Sequence, residues 1–270
     1  DHVYTHQLYA GFGHKQFGEL TYGNMVTITD EVKQSDLANT YSLTDGLLET
    51  SARRVTQYVY NGDYGSNKVK FGAYYGGSSK RNIKNVDLKN NRKNTWGTGL
   101  IFNHEIDSIQ NVTVAAGFTR QISENANKTA YYSNAYALGL AYNFVHTTYG
   151  LDLAHKDTKN KGGAGNKVKN NEVTAVIRQG LNEDWNVYAM YSYKTEKTLP
   201  VGSAYSKSTD RQFLVGTEYY VFKQGSVKVK PFIEWQATRT KYENTFDKDS
   251  GKQLDRSRDF KTVIGLRAYW

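Results

Sequence analysis

Hydropathy alternates residue by residue over stretches of about ten residues in this sequence, and only an extended strand with two unlike faces has that period. Near the end of the chain, Phe260, Thr262, Ile264, Leu266, Ala268 and Trp270 fall on one face. Asp259, Lys261, Val263, Gly265, Arg267 and Tyr269 fall on the other. One face suits lipid and the other suits water. The same pattern sets Val69, Phe71, Ala73 and Tyr75 against Lys68, Lys70, Gly72 and Tyr74, and it returns at 96–103, 136–144, 185–194 and 227–235.

Composition then decides what such strands can build. Of 270 residues only 38% are hydrophobic, which is thin for a buried core of this size. It is enough for an apolar coat around a polar, water-filled interior. No stretch approaches the roughly 20 apolar residues of a helical span, so helical membrane insertion is excluded. No basic and then apolar leader opens the sequence at Asp1, which reads as a mature form or a fragment. The absence of cysteine removes a disulfide framework and any thiolate metal site. The net charge of +9 gathers in 80–93 and 156–169, stretches that read as solvated loops rather than a nucleic-acid surface. Anionic lipopolysaccharide or other polyanions are better-matched neighbours for them.

The connections come in two kinds that take turns along the chain. Short ones fall at 62–66, 107–110, 182–184 and 223–225, and long polar ones at 80–94, 124–129, 156–170, 198–208 and 244–256. Short periplasmic turns and long extracellular loops have this asymmetry. Aromatics at the ends of the outward faces, among them Tyr75, Trp96, Phe144, Trp185, Tyr193, Phe260 and Trp270, suit interfacial girdles. The expected fold is all-β: one transmembrane antiparallel β-barrel domain over 1–270. A soluble sandwich or propeller would hide its apolar face between sheets.

The closing run Ile264-Gly-Leu-Arg-Ala-Tyr-Trp270 is similar to the terminal strand of bacterial outer-membrane barrels. The opening run Leu8-Tyr-Ala-Gly-Phe-Gly13, His14-Lys-Gln-Phe-Gly18, Glu19-Leu-Thr-Tyr-Gly-Asn24 resembles the strand, tight turn and strand that precede the constriction loop of general diffusion porins, in their Pasteurellaceae form. That resemblance implies a sixteen-stranded barrel in which the fifth strand leads into a long inward-folded loop, here about 25–51. Two strands before the loop and eleven after it, near 52–61, 67–78, 95–104, 111–121, 133–144, 147–156, 171–181, 185–196, 210–222, 226–241 and 257–270, make about thirteen. The sum fits sixteen less three, so the first three strands are expected to lie outside this sequence. The resemblance further implies an integral outer-membrane homotrimer, with no cofactor, that passes small hydrophilic solutes and ions by passive diffusion.

In that family, acids on the loop face bases on the wall. Carried over, the loop candidates are Asp30, Glu31, Asp36, Asp45 and Glu49, with Asp45 and Glu49 nearest the family's acidic segment. Arg53 aligns with a basic wall position, within one residue of register, while the family's arginine after the glycine of the fifth strand is replaced here by Asn24. Alternation also turns Lys68, Lys70, Arg178, Lys194, Lys228, Lys230, Lys261 and Arg267 inward. Fixed positive charge in a lumen favours anions, a mild preference that Glu172, Glu218 and Glu234 temper. A channel of about twelve strands, specific for acidic sugars, would explain the inward lysines equally well, but not the turn and the long loop after it. An outer-membrane lipase would need a Ser–His–acid set, and the histidines are scattered with no nucleophile motif, so an enzyme is not expected.

Overall fold

The computed structural model describes residues 7–79, 90–125, 130–160, 167–199, 205–245 and 253–270. The strands are β1 Leu8–His14, β2 Gly18–Val26, β3 Ser51–Tyr64, β4 Asn67–Gly76, β5 Asn90–Asp107, β6 Gln110–Asn125 and β7 Ala130–Phe144. They continue with β8 Thr147–Asn160, β9 Lys167–Gly180, β10 Trp185–Leu199, β11 Tyr205–Tyr219, β12 Phe222–Gln224, β13 Val227–Thr245 and β14 Gln253–Tyr269. Each pairs antiparallel with its neighbour in sequence order, except that β11 and β12 lie end to end along one side of β13 and β14 lies along the other. The sheet is therefore thirteen strands across. Among the described residues β1 and β14 are its two unpaired edges. No helix among them is long and apolar enough to cross a membrane.

The strands run longer than hydropathy alternation suggests. β10 reaches Leu199 and β11 begins at Tyr205, although 198–208 reads as a loop, and β5, β6, β8, β9, β13 and β14 likewise extend into the polar stretches. Outside the bilayer both faces of a hairpin are wet, so the period-two hydropathy fades while the backbone ladder continues. The loop tips at 80–89, 126–129, 161–166, 200–204 and 246–252 lie outside the described residues.

The connection between β2 and β3 shows that the sheet must curl. Ile28 lies against Gly72 on β4, whereas Asn39 is bonded to Glu234 on β13 and to Arg267 on β14. Across a flat sheet those strands would be separated by nine steps of about 4.8 Å, some 43 Å. Eleven residues, with the 3-10 turn Ile28–Val32 among them, reach about 31 Å. Only a wall wrapped around the loop lets one short segment touch both. The convex face carries the exposed aromatic and aliphatic residues, such as Phe71, Trp96, Leu100, Tyr136, Ile233 and Trp235.

Candidate pore constriction

The loop begins where β2 and β3 stop matching. Their register shifts between Gly23 and Met25, and Arg54 on the opposing strand takes a left-handed φ of 54° while its backbone N–H donates to Asn24 Oδ1 at 3.2 Å. A bulge of this kind bends a strand and releases the chain from the ladder. The neck is closed at once: Thr27 N–H donates to the Thr50 carbonyl at 2.9 Å, and Thr29 Oγ1 donates to the Glu49 carbonyl at 2.7 Å. Gln57 of β3 accepts the Ile28 N–H at 2.7 Å, so the outgoing limb is aimed along the wall from its first turn.

A track of inward glycines receives that limb. Gly72, Gly99 and Gly117 are paired directly across β4, β5 and β6, with Gly139 and Gly150 following on β7 and β8. A Cβ on Gly139 would stand 2.1 Å from the Val32 carbonyl oxygen, and one on Gly150 would stand 2.4 Å from that of Gln34. The loop backbone thus occupies space that any side chain would fill. Apolar contacts complete the bed. Ile28 packs with Val55 and Tyr74; Val32 and Leu48 with Ala115 and Ala135; and Leu43 with Val176, Tyr188, Met190 and Leu214.

Buried wall carboxylates then hold the loop by its backbone. Asp152 of β8 accepts Gln34 N–H at 2.9 Å and Ser35 N–H at 2.7 Å. Glu172 of β9 accepts Asp45 N–H at 2.8 Å and Gly46 N–H at 3.1 Å. Glu234 of β13 accepts Asn39 N–H at 2.5 Å, Thr40 N–H at 3.0 Å and Tyr41 N–H at 2.9 Å, together with the Tyr188 hydroxyl at 2.6 Å. A loop bent across a lumen leaves its amides unpaired, and a carboxylate, with two oxygens and several lone pairs, can serve successive ones. Glu218 of β11 sits beside them, taking Asn39 Nδ2 at 2.8 Å, Lys230 at 2.6 Å and Arg178.

The sequence placed Glu172, Glu218 and Glu234 in the lumen as charges that would offset the bases. Instead they are sealed beneath the loop, each about 2% exposed or less, because the loop's amides and the wall cations neutralise them there. The candidate loop acids all meet cations: Glu31 pairs with Lys70 at 2.5 Å, Asp45 with Lys194 at 2.6 Å, Glu49 with Lys156 at 3.1 Å, and Asp30 and Asp36 share Lys33 at 3.5 and 3.4 Å. Burial lowers the Lys33 pKa, but Asp36 and Asp30 together outweigh it and hold the ammonium above the ordinary 10.5.

The wall bases divide into two groups. Lys68 pairs with Glu105 at 2.5 Å and Lys261 with Asp259 at 3.0 Å, both on exposed stretches, while Arg178 and Lys230 share Glu218. Arg267 reaches the Asn39 carbonyl at 2.5 Å. Arg53 lies beside the bulge, where alternation breaks, and it is exposed with its carbonyl accepting from Arg92. Among the described residues, Arg53, Lys228 and Arg267 have no acidic partner. Sequence reasoning missed the glycine track, Asp152, Lys156, Tyr188 and the inward Val176, Met190 and Leu214. Apolar side chains at positions that alternation turns toward water were the available signal.

A curled antiparallel sheet with an apolar outer surface, and one long loop fastened across its inner face, defines a transmembrane β-barrel with a narrowed interior. Comparison with known proteins agrees. Residues 2–231 match the Gram-negative porin family. The chain is 23% identical to a major outer membrane protein of Pasteurella multocida, over 99% of this chain and 68% of the relative, and 22% identical to that of strain Pm70, over 87% and 64%. It thus spans about two thirds of the length of these relatives. Among solved structures, OmpT of Vibrio cholerae superposes with a TM-score of 0.64 at 16% identity, covering 94% of this chain and 77% of OmpT. The anion-selective porin of Comamonas acidovorans does so at 0.54 and 14%, covering 94% and 74%. The chain belongs to the Gram-negative porin family, and its place is the bacterial outer membrane, as an integral channel-forming protein.

Proposed function

We propose that the chain supplies most of the wall and the constriction of a water-filled pore through which small hydrophilic solutes and ions diffuse passively. The observation that carries this reading is the fastening of residues 27–50 across the inner face by Asp152, Glu172 and Glu234. A loop anchored at three points along the wall narrows a lumen to a fixed aperture. The paired loop acids and wall bases line that aperture with local dipoles, which orient polar solutes.

Selectivity follows from what pairing leaves over. Arg53, Lys228 and Arg267 have no acidic partner among the described residues, and Arg178 and Lys230 divide one carboxylate. This excess supports a mild preference for anions. The protein assembles as a homotrimer, in line with the trimer form described for OmpT of Vibrio cholerae, and its outer surface meets lipid and lipopolysaccharide.

Planar-bilayer recording of the full-length protein tests the reading. Ohmic conductance in steps of three, with a reversal potential in a salt gradient displaced modestly toward anions, is the expected result. Clear cation selectivity overturns the anion preference. Block by a single acidic sugar at low concentration overturns general diffusion in favour of a substrate-specific channel.

A further inference from the structure

One row of side chains on the outer face has no counterpart in the pore. Arg211 of β11 pairs directly with Arg239 of β13, and Arg239 pairs directly with Arg258 of β14. All three are exposed, and by strand parity they share the convex face with Phe213, Trp235 and Phe260. Two residues further out, Lys241 faces Arg256 across the same strands. Like charges set directly opposite across a sheet repel, at a separation near 5 Å. Arg211 lies over the Tyr193 ring, 5.9 Å from its centroid, but among the described residues none of the three arginines meets a carboxylate. The neighbouring Lys241, by contrast, has its own acid, Glu243 at 2.5 Å, just as the outer face of β8 carries Asp157, bonded to His155 and Lys167.

The height of the row is informative. On β14 the outward apolar residues run from Trp270 to Phe260, ten rises or about 33 Å of strand, which at a tilt of 45° is about 23 Å of bilayer. The apolar band of such barrels is about 25 Å tall, so Arg258 stands where hydrocarbon gives way to headgroups. Toward the membrane centre the row is followed by Phe213 and Phe260, and then by Trp235, which contacts both rings at 6.4 and 6.1 Å. Below Trp235 an apolar groove of about 650 Å³ opens on the outer face, lined by Ile177, Val187, Val215 and Ile233. A second groove of about 500 Å³ shares Thr217 and Ile233 with it and continues toward Trp185 and Ile264.

We infer that this face is a binding site for a phosphorylated lipid of the outer leaflet. The arginine row takes the headgroup phosphate, and acyl chains lie along the aromatic ridge and the grooves beneath. Guanidinium groups bind phosphate bidentately, and a dianionic phosphate relieves the repulsion that the sheet register imposes. The inference rests on the outer-membrane pore reading, which fixes which end of the strands meets the outer leaflet.

The test uses the full-length protein in dodecyl maltoside, incubated with bisphosphorylated lipid A and examined by native mass spectrometry. The unchanged protein is expected to retain lipid A, and the triple variant Arg211→Gln, Arg239→Gln, Arg258→Gln to retain at least tenfold less. Dephosphorylated lipid should bind the unchanged protein as weakly as the variant binds lipid A, and millimolar inorganic phosphate should not displace the lipid. Equal retention by the triple variant overturns the site. So does an equal loss in a protein carrying Arg120→Gln and Lys159→Gln, which would mark general surface charge. A triple variant that loses oligomeric mass while the unchanged protein binds no lipid overturns it in favour of a contact between copies of the chain. Conductance separates the two readings: it survives in the triple variant if the pore reading holds, and it is absent from both proteins if that reading fails.

Discussion

Glu234 on β13 accepts the backbone N–H of Tyr41 at 2.9 Å, joining the tip of the inward loop to the wall far from where the loop begins. The same carboxylate takes the amides of Asn39 and Thr40. Charge-assisted bonds of this type contribute about 1.5–3 kcal/mol each. Glu234→Gln keeps one acceptor and turns an amide donor toward backbone donors, so the tip should loosen. Hydrogen exchange of residues 39–41 is expected to accelerate at least about tenfold, the equivalent of about 1.4 kcal/mol. Unchanged exchange would mean that the loop is held by its apolar contacts alone.

The glycine track predicts a steric effect without a change of charge. Gly139→Ala would put a methyl group 2.1 Å from the Val32 carbonyl oxygen, a backbone atom that can yield only if the loop moves inward. Overpacking of this sort costs about 1–3 kcal/mol. Single-channel conductance should fall in Gly139→Ala and stay at the original value in Gly77→Ala, where nothing lies within 4 Å of the added carbon. Equal conductance in both would refute the close approach.

Glu218 neutralises both Arg178 and Lys230 in a place where it is 2% exposed itself. Removing one partner of a buried ion cluster leaves uncompensated charge, at a cost of about 3–5 kcal/mol. Glu218→Gln is therefore expected to lower the thermal midpoint, and adding Lys230→Met should recover part of the loss. A single variant as stable as the parent, followed in heat-modified electrophoretic migration, would contradict the arrangement.

Lys33 carries a pH prediction. Its pKa in the folded protein is raised above 10.5, so the stability it contributes is fully present below that value and is lost as pH rises through the higher one. Loop order, followed by resistance of residues 27–50 to protease, should hold from neutral pH to about 10 as far as Lys33 determines it. Lys33→Met should leave Asp30 and Asp36 without their shared cation and displace the reversal potential toward cations at neutral pH. No displacement would exclude these acids from the ion path.

Most of the wall was legible because a strand between lipid and water writes its two environments into alternate residues. The outward sets around Phe71, Trp96, Trp185 and Phe260 required no partner to be recognised. Strand ends were less legible, since Leu199 and Tyr205 lie where both faces are wet and the pattern vanishes although pairing persists. The loop acids could be named, but not their partners. Asp45 meets Lys194 and Glu49 meets Lys156 only because the loop runs out along the wall and back.

What the sequence determined by itself was the transmembrane sheet, the facing of its residues and the presence of one long segment that is not strand. The course of that segment was decided by tertiary structure, through contacts far apart in the chain. Glycines spaced for no local reason become a track once β4 to β8 align them, and acids that hydropathy assigns to water become anchors once loop amides arrive above them. Alternation reports the average environment on each side of a strand. A loop that covers part of the inner face replaces water with backbone there, and the strands record that exchange only as breaks in their period, at inward apolar residues such as Val176, Met190 and Leu214.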